Sequence, residues 1–266
     1  MKVSRANWAF CVAIVLSVGV VNVANATDVS VELSGVQGPS MAGVYTDPYQ
    51  LKISAPGTVL TQPDQFANVQ TTANAFCDDF QTETYLDEIW QSHVTNMAQL
   101  ANIAAPLSSL KFDTGSSAGK QQQDYMAMAW LAEQIVATNQ NTSAGRTQAG
   151  ELSFALWNVF DSGRNGALAG LSSQQRQAAT ADYNLAYASI AKDNPSNFLN
   201  VNIYTPDPLS SSQEFLVVND GSQSSSSGGS PSPSVPAPKV GALFALAVVL
   251  FTIGSLRRKR QQRAKG

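Results

Sequence analysis

Uncharged apolar stretches lie near both ends of the chain, and they confine a folded domain to the residues between them. The first runs from Trp8 to Val21 behind a short basic segment, and the small residues Ala24 and Ala26 follow it. This order is that of a secretory signal peptide with cleavage after Ala26. The sequence therefore predicts a signal peptide at 1–26 and a globular extracytoplasmic domain at 27–220.

The second stretch, Val240–Leu256, has 17 residues without a charge, which is the lower limit for a helix that crosses a bilayer. A linker rich in Ser, Gly and Pro precedes it at 221–239 and cannot build a core. The basic tail at 257–266 begins with a cluster that favours the cytoplasmic side: Arg257, Arg258, Lys259 and Arg260. We therefore predict one C-terminal transmembrane helix, with the membrane as a partner and the body outside.

A proline motif, a short apolar span and a basic cluster follow one another at this end of the chain. The motif consists of Val235, Pro236, Ala237 and Pro238. The arrangement resembles the PEP-CTERM sorting signal of Gram-negative bacteria, in which Glu usually stands at the position of Ala237. The resemblance implies an exosortase-type processing enzyme as a partner. It also implies a protein that is either anchored in the inner membrane facing the periplasm or sorted to the cell surface after C-terminal processing.

The body of the chain is acidic. Residues 27–238 hold all 19 Asp and Glu residues but only seven Lys and Arg residues, a net charge near -12. Nucleic-acid binding needs a basic patch over the phosphates, so we expect no nucleic-acid partner. Of the two cysteines, Cys11 falls in the signal peptide, which leaves Cys77 without an internal disulfide partner in the mature chain.

Alternation and periodicity predict an α+β fold for the body. The β-rich N-terminal part has four strand-like segments: 29–33, 43–54, 58–61 and 75–80. Residues 85–100 carry mixed signals, and we expect a strand followed by a short helix. Three central helices are predicted from apolar residues that recur every three or four positions: 122–138, 147–161 and 173–192. Two strands close the domain: 200–204 and 213–218.

Cys77 is a candidate reactive residue with several interpretations. A buried, small hydrophobic side chain is the plainest one. An intermolecular disulfide is a second, and a catalytic nucleophile is a third. A nucleophile needs a neighbouring base, and the only histidine of the chain is His93.

Two short motifs carry a further resemblance. Phe76–Cys77 lies in the strand-like segment 75–80, and Ala155–Trp157 lies in a predicted helix. Together they resemble the thioester domains of bacterial surface adhesins, in which a Cys side chain is joined to a Gln side chain and captures host amines. Ser153 stands where the Gln is expected, four residues before the Trp. The resemblance implies the scaffold without its usual acyl donor. Burial of Cys77 would argue against both thioester and cysteine-enzyme chemistry.

An acidic cluster follows Cys77, and a solvated acidic face is its plainest interpretation. Its members are Asp78, Asp79, Glu83, Asp87 and Glu88. Calcium takes several carboxylate and carbonyl oxygens, which makes Asp78 and Asp79 candidate metal ligands although no regular loop spacing occurs. A carbohydrate-active enzyme needs two carboxylates that face each other across a cleft. The 19 acidic residues form many possible pairs, so the sequence does not identify a catalytic pair.

The tryptophans lie on apolar periodic segments, so we interpret Trp90, Trp130 and Trp157 as core residues and not as a sugar-binding platform. No phosphate-binding loop or zinc spacing occurs in the sequence, and no cofactor is expected. We predict an exported, surface-displayed or matrix-associated bacterial protein of structural or adhesive type, with a matrix or surface ligand as partner. The alternatives are an extracytoplasmic enzyme, either cysteine-dependent or carbohydrate-active, and a thioester-type covalent adhesin.

Overall fold

The structure is a computed structural model, and it describes residues 27–69, 71–163 and 166–219. Eight strands occur in this part of the chain: β1 (Thr27–Val36), β2 (Ser40–Met41), β3 (Val44–Tyr45), β4 (Tyr49–Ile53), β5 (Thr71–Cys77), β6 (Ile89–Asn96), β7 (Val201–Asp207) and β8 (Phe215–Val218). The α-helices are α1 (Ala118–Ala137), α2 (Ser143–Trp157) and α3 (Ser173–Ser189). Four 3₁₀ helices connect these elements: Pro63–Asn68, Met97–Asn102, Ala167–Gly170 and Pro195–Phe198. The predicted α+β fold is confirmed for these residues.

Six of the strands form a closed antiparallel barrel in the order β1-β4-β5-β8-β7-β6. The ring closes because β1 pairs with β4 on one side and with β6 on the other. Side chains alternate across each strand, so Val29, Val31 and Leu33 of β1 point into the barrel and help to fill it. The separate two-stranded sheet of β2 and β3 lies in the connection from β1 to β4.

A second apolar core lies between the barrel and the helices. Phe76 and Leu216 sit between inward-facing neighbours on β5 and β8, and they pack with apolar residues of α1 and α2 such as Leu131 and Phe154. The end of β5 and the whole of β8 are therefore buried on both faces, which explains why β8 is a continuous hydrophobic run.

The helices begin at side-chain caps. Ser117 precedes α1, Thr142 precedes α2, and Ser172 precedes α3 in a capping box with Gln175. The predicted helix at 147–161 lies four residues too far along the chain, because the Thr142 cap starts α2 earlier than its apolar periodicity indicates.

Two strand predictions have different outcomes. Residues 85–100 contain β6 followed by a 3₁₀ helix, as expected. The predicted strand at 58–61 is wrong, because side chains occupy the backbone groups that a ladder would use. The Thr58 carbonyl accepts the Ser30 and Ser54 hydroxyls at 3.0 Å each, and the Leu60 N–H donates to the Ser30 hydroxyl at 2.7 Å.

The predicted signal peptide, linker, transmembrane helix and basic tail lie outside the described residues. Within 27–69, 71–163 and 166–219, no helix combines the length and the hydrophobicity that a membrane span requires.

Candidate functional site

Cys77 ends β5 and points into the barrel. Its side chain is fully buried among the residues that fill the barrel interior. The thiol donates to the Asp79 carbonyl at 3.3 Å, and the Asp79 N–H donates to the sulfur at 3.4 Å. Cys77 is a free, buried cysteine. Its surroundings agree with the interpretation of this residue as a small hydrophobic side chain of the core.

Asp47 connects Cys77 to helix α2. Its carboxylate accepts the Cys77 backbone N–H at 2.7 Å, and its own N–H donates to the Ser153 hydroxyl at 3.1 Å. Ser153 in turn donates to the Ala149 carbonyl at 2.9 Å within α2. Ser153, which stands at the position of the expected Gln, and Cys77 therefore both form a hydrogen bond with Asp47. A serine has no carboxamide carbon, so it offers no acyl group to the thiol.

Burial controls the ionisation of this group. Burial raises the pKa of Asp47 to about 7, although hydrogen bonds from Cys77 and Ser153 act in the opposite direction. Burial, followed by the negative charges of Asp47, Asp78 and Asp79, raises the pKa of the Cys77 thiol well above its usual range. The thiolate is the nucleophilic form of cysteine, so at neutral pH this thiol is held in its inert form.

His93 does not meet Cys77. It lies on β6, which is opposite β5 in the ring of six strands. Its neighbours Trp90 and Val94 belong to the barrel interior, so His93 points outward, where its Nδ1 lies 3.1 Å from an Asp28 carboxylate oxygen. A Cys–His catalytic pair is therefore not formed.

The acidic cluster divides into buried and exposed members. Asp78 and Asp79 are each 1% exposed, so the prediction of a solvated face is wrong for these two residues. Glu83 and Asp87 are exposed. The difference arises because Asp78 and Asp79 continue directly from the buried end of β5, whereas the later acids lie in the loop beyond it.

Lys111 and Glu214 supply the partners of the buried acids. The Lys111 ammonium lies 2.5 Å from an Asp79 carboxylate oxygen and donates to the Ser212 carbonyl at 2.8 Å. Glu214 is fully buried and accepts the Tyr125 hydroxyl at 2.6 Å and the Lys111 backbone N–H at 3.0 Å. Its carboxylate also accepts the Thr205 hydroxyl. These contacts tie β7, β8 and α1 together.

Asp78 lies beside Glu214, and its surroundings favour the protonated form of its carboxyl group. Burial, followed by the negative charge of Glu214, raises the pKa of Asp78 well above its usual range. Among the residues that the structure describes, no three His, Cys, Asp or Glu side chains are arranged to hold a metal ion. Of the two candidate calcium ligands, Asp79 is instead paired with Lys111, and Asp78 is buried beside Glu214.

An open groove lies above this buried group at one end of the barrel. The connections β1–β4, β5–β6 and β7–β8 all leave the barrel at this end, and the groove between them has a volume of about 810 Å³. We call it the barrel-end groove, and its lining residues are Leu33, Val36, Gly43, Val44, Tyr45, Tyr49, Asp79, Phe80, Thr82, Glu83, Thr84, Tyr85, Leu86, Trp157 and Gln213.

Exposed aromatic and aliphatic side chains line part of this groove. Tyr45 and Tyr85 are each 65% exposed, and Leu86 is 59% exposed. Trp157, at the end of α2, is 3% exposed and packs against Phe80 in a tilted arrangement with ring centroids 5.1 Å apart. The groove thus has packed aromatic rings at its base and accessible rings at its sides.

Sequence reasoning identified Trp157 as a core residue, which its burial confirms, as it does for Trp90. It missed the exposure of Tyr45 and Tyr85, because both fall within segments that were predicted as secondary structure, 43–54 and 85–100. A usable signal exists for Tyr85, because Glu83, Thr84 and Asp87 close to it in sequence are polar or acidic. The sorting residues Val235, Pro236 and Pro238 and the basic cluster Arg257–Arg260 lie outside the described residues.

Two solved structures are similar to this chain. The N-terminal thioester domain of the fibronectin-binding protein SfbI from Streptococcus pyogenes is 13% identical, and the match covers 73% of this chain and 93% of that domain, with a TM-score of 0.37. The N-terminal domain of the Streptococcus pyogenes pilus tip adhesin Cpa is 14% identical, covering 74% of this chain and 95% of that one, with a TM-score of 0.36. No protein-family model and no curated protein matches the sequence. Similarity at this level establishes neither a common fold nor a common function.

Proposed function

We propose that this protein is an exported surface or matrix protein of structural or adhesive type, and that it acts by binding a ligand in the barrel-end groove. The observation that carries the proposal is the exposure of Tyr45, Tyr85 and Leu86 around one groove of about 810 Å³. Ligand sites are concave and mostly apolar, with a few polar groups that orient the ligand. Thr82, Glu83 and Gln213 supply such groups here.

The state of Cys77 supports binding over catalysis. A cysteine nucleophile needs an accessible sulfur and a base within hydrogen-bonding reach. Cys77 is fully buried, its pKa is raised, and His93 lies on the opposite strand of the barrel. A cysteine-dependent enzyme is therefore disfavoured.

Covalent adhesion through a thioester is disfavoured by the same burial and by the chemistry of the second position. Ser153 is close to the backbone of Cys77 through Asp47, but a hydroxyl group cannot acylate a thiol. Reversible binding requires neither a reactive thiol nor an acyl donor, so it is the form of adhesion that these residues support.

The terminal segments support a location outside the cytoplasm. The features of residues 1–26 favour export, and those of residues 240–266 favour retention at the inner membrane or sorting to the surface by an exosortase-type enzyme. The linker at 221–239 gives the domain reach from such an anchor.

The proposal is tested by comparing two variants in the native host. In the groove variant, Tyr45→Ala and Tyr85→Ala are combined. The matched control is Leu199→Ala, because Leu199 is also 65% exposed but does not line the groove. Cultures are fractionated into cytoplasm, membrane, surface, matrix and medium, and the protein is quantified in each fraction.

We expect all proteins to be exported and the groove variant alone to be lost from the surface or matrix fraction into the medium or membrane. Thermal unfolding of both purified variants checks that they are folded. Recovery of the wild-type protein in the cytoplasm would overturn export. Equal retention of the groove variant and the wild type would overturn the role of the groove.

A further inference from the structure

We infer that the barrel-end groove binds glycans whose sugar units carry free amino groups. This inference rests on the proposed binding function and names the class of ligand. It follows from three properties of the groove: the type of its exposed rings, the sign of its charge and the shape of the backbone around it.

The exposed rings of the groove are tyrosines. Tyr45 comes from the β2–β3 hairpin and Tyr85 from the β5–β6 connection, so two different loops each present a ring at the same groove. The face of a tyrosine ring packs on the apolar C–H face of a pyranose, while its hydroxyl remains in contact with water. Tyr85 is further oriented because its hydroxyl donates to the Glu83 carboxylate.

The charge of the groove selects a cationic ligand. Its acidic lining residues are Asp79 and Glu83, and none of the described residues that line it is Lys or Arg. Asp79 forms an ion pair with Lys111, which compensates its charge. Glu83 is exposed, and its carboxylate accepts a hydrogen bond from the Tyr85 hydroxyl but has no cationic partner among the groove residues. A tyrosine face next to a carboxylate attracts an ammonium group through both its quadrupole and the neighbouring charge.

The backbone around the groove disfavours an extended peptide. A peptide that adds to a sheet needs a strand with an open edge. All six barrel strands are paired on both sides, and β2 and β3 contain only two residues each. Recognition therefore depends on side chains, as stacking on a sugar ring does. Acidic polymers are disfavoured by the charge of the groove and of the body.

The test uses the purified full chain in detergent and isothermal titration calorimetry. The probes are a glucosamine hexamer, an N-acetylglucosamine hexamer of the same length, and a lysine hexamer with the same charge as the first. Titrations are done in slightly acidic buffer, in which the glucosamine amines are protonated. We expect the glucosamine hexamer to bind about tenfold more tightly than the N-acetylated one, and also more tightly than the lysine hexamer.

Substitutions assign the binding to the groove. Glu83→Gln is expected to remove most of the preference for glucosamine over N-acetylglucosamine, whereas Tyr85→Ala weakens binding of both. Asp64→Asn is the matched control for charge, since Asp64 is exposed and distant from the groove lining, and it is expected to leave the preference unchanged.

Each other outcome overturns the inference. Equal binding of the two sugar hexamers would remove the role of the amine, and equal or tighter binding of the lysine hexamer would show general attraction of cations. Absence of sugar binding, with surface or matrix retention still lost in the Tyr45→Ala, Tyr85→Ala variant, would refute the ligand class and leave the proposed function standing. Failure of both experiments would refute the proposed function itself.

Discussion

The carboxylate of Asp47 accepts the backbone N–H of Cys77 at 2.7 Å, and this bond fastens the loop before β4 to the end of β5. Ser153 attaches the same aspartate to α2 through its hydroxyl group. Three segments that are distant in sequence therefore meet at one buried carboxyl group. Asp47 lies in the same segment as the groove residues Tyr45 and Tyr49, so its ionisation is linked to the stability of a region that carries the groove.

We expect stability to fall as the pH rises from about 4 to about 7. Burial raises the folded pKa of Asp47 to about 7 from an ordinary value of 3.8, so the folded protein holds a proton that the unfolded chain releases. The stabilisation by this proton is complete below the unfolded pKa and is lost as the pH rises through the folded pKa. Each pKa unit corresponds to about 1.4 kcal/mol, so the effect on the free energy of unfolding is on the order of 4 kcal/mol.

Urea unfolding of the wild type and of Asp47→Asn across this pH range measures the effect. The amide keeps an oxygen that can accept the Cys77 N–H but does not titrate, so the variant is expected to have a shallower pH dependence. Asp78, whose pKa is also raised, leaves a residual slope of the same sign. Asp64→Asn is the control at an exposed site. Identical slopes for Asp47→Asn and the wild type would contradict the assignment.

Removal of Glu214 is expected to be among the most damaging single substitutions. Glu214→Ala leaves the Tyr125 hydroxyl, the Thr205 hydroxyl and the Lys111 N–H without their buried acceptor. Unsatisfied buried groups cost about 1–3 kcal/mol each, so we expect a loss of at least about 3 kcal/mol in the free energy of unfolding. Tyr125→Phe removes one donor to Glu214 and the hydroxyl that accepts the Phe112 N–H at 3.3 Å, and is expected to cost about 1–2 kcal/mol. Chemical denaturation of both variants makes the comparison, and an equal loss would show that Glu214 does not organise the network.

Cys77 is expected to be unreactive toward thiol reagents in the folded protein. A thiol reagent should fail to label it in the native state and should label it fully in urea, because the side chain is buried and its pKa is raised. Cys77→Ala is expected to cost about 1 kcal/mol of stability through lost packing, without loss of ligand binding. Intact mass spectrometry provides the independent check. A mass lighter by one ammonia, with the ability to capture an amine, would restore the covalent-adhesin alternative.

Gly38 is expected to tolerate no side chain. A Cβ atom there would lie 1.9 Å from the Thr46 carbonyl oxygen and 2.3 Å from that of Asp47, so the loop that holds Asp47 must move. We expect Gly38→Ala to lower the free energy of unfolding by roughly 2–4 kcal/mol and to weaken ligand binding in the groove. Gly119→Ala, at a helical position with open space around it, is the matched control and is expected to be neutral or slightly stabilising. Equal stability of the two variants would refute this account of Gly38.

The C-terminal segment provides a prediction that depends on no contact in the folded domain. If an exosortase-type enzyme accepts Ala237 between the prolines, we expect the mature protein from its native host to end near Pro238. A mass that extends to Gly266 would mean that the segment is retained as a permanent anchor. The Ala237→Glu variant, which restores the usual residue of the motif, is the matched comparison and should be processed at least as completely.

Local patterns in the sequence located most of the secondary structure of the body, although the strand predicted at 58–61 is absent. Apolar periodicity located the three helices and alternation located β1, because each of these signals depends only on neighbours along the chain. Charge and hydrophobicity along the chain likewise predicted the domain limits and the membrane-related ends, and these remain predictions. The starts of α1 and α2 were less accurate because side-chain caps, not apolar residues, set them, whereas the start of α3 was predicted correctly from its serine cap.

The tertiary structure decided the barrel, the burial of the acids and the groove. Ring closure requires β1 to pair with β6 more than fifty residues away, and no local pattern encodes that register. Asp78 and Glu83 belong to the same acidic stretch, yet one is buried beside Glu214 and the other faces solvent. Tyr45 and Tyr85 become neighbours of one groove only because three loops leave the same end of the barrel. Composition and spacing describe which groups a chain carries, whereas burial and proximity arise from pairings between distant segments, and those pairings determine the chemistry of each group.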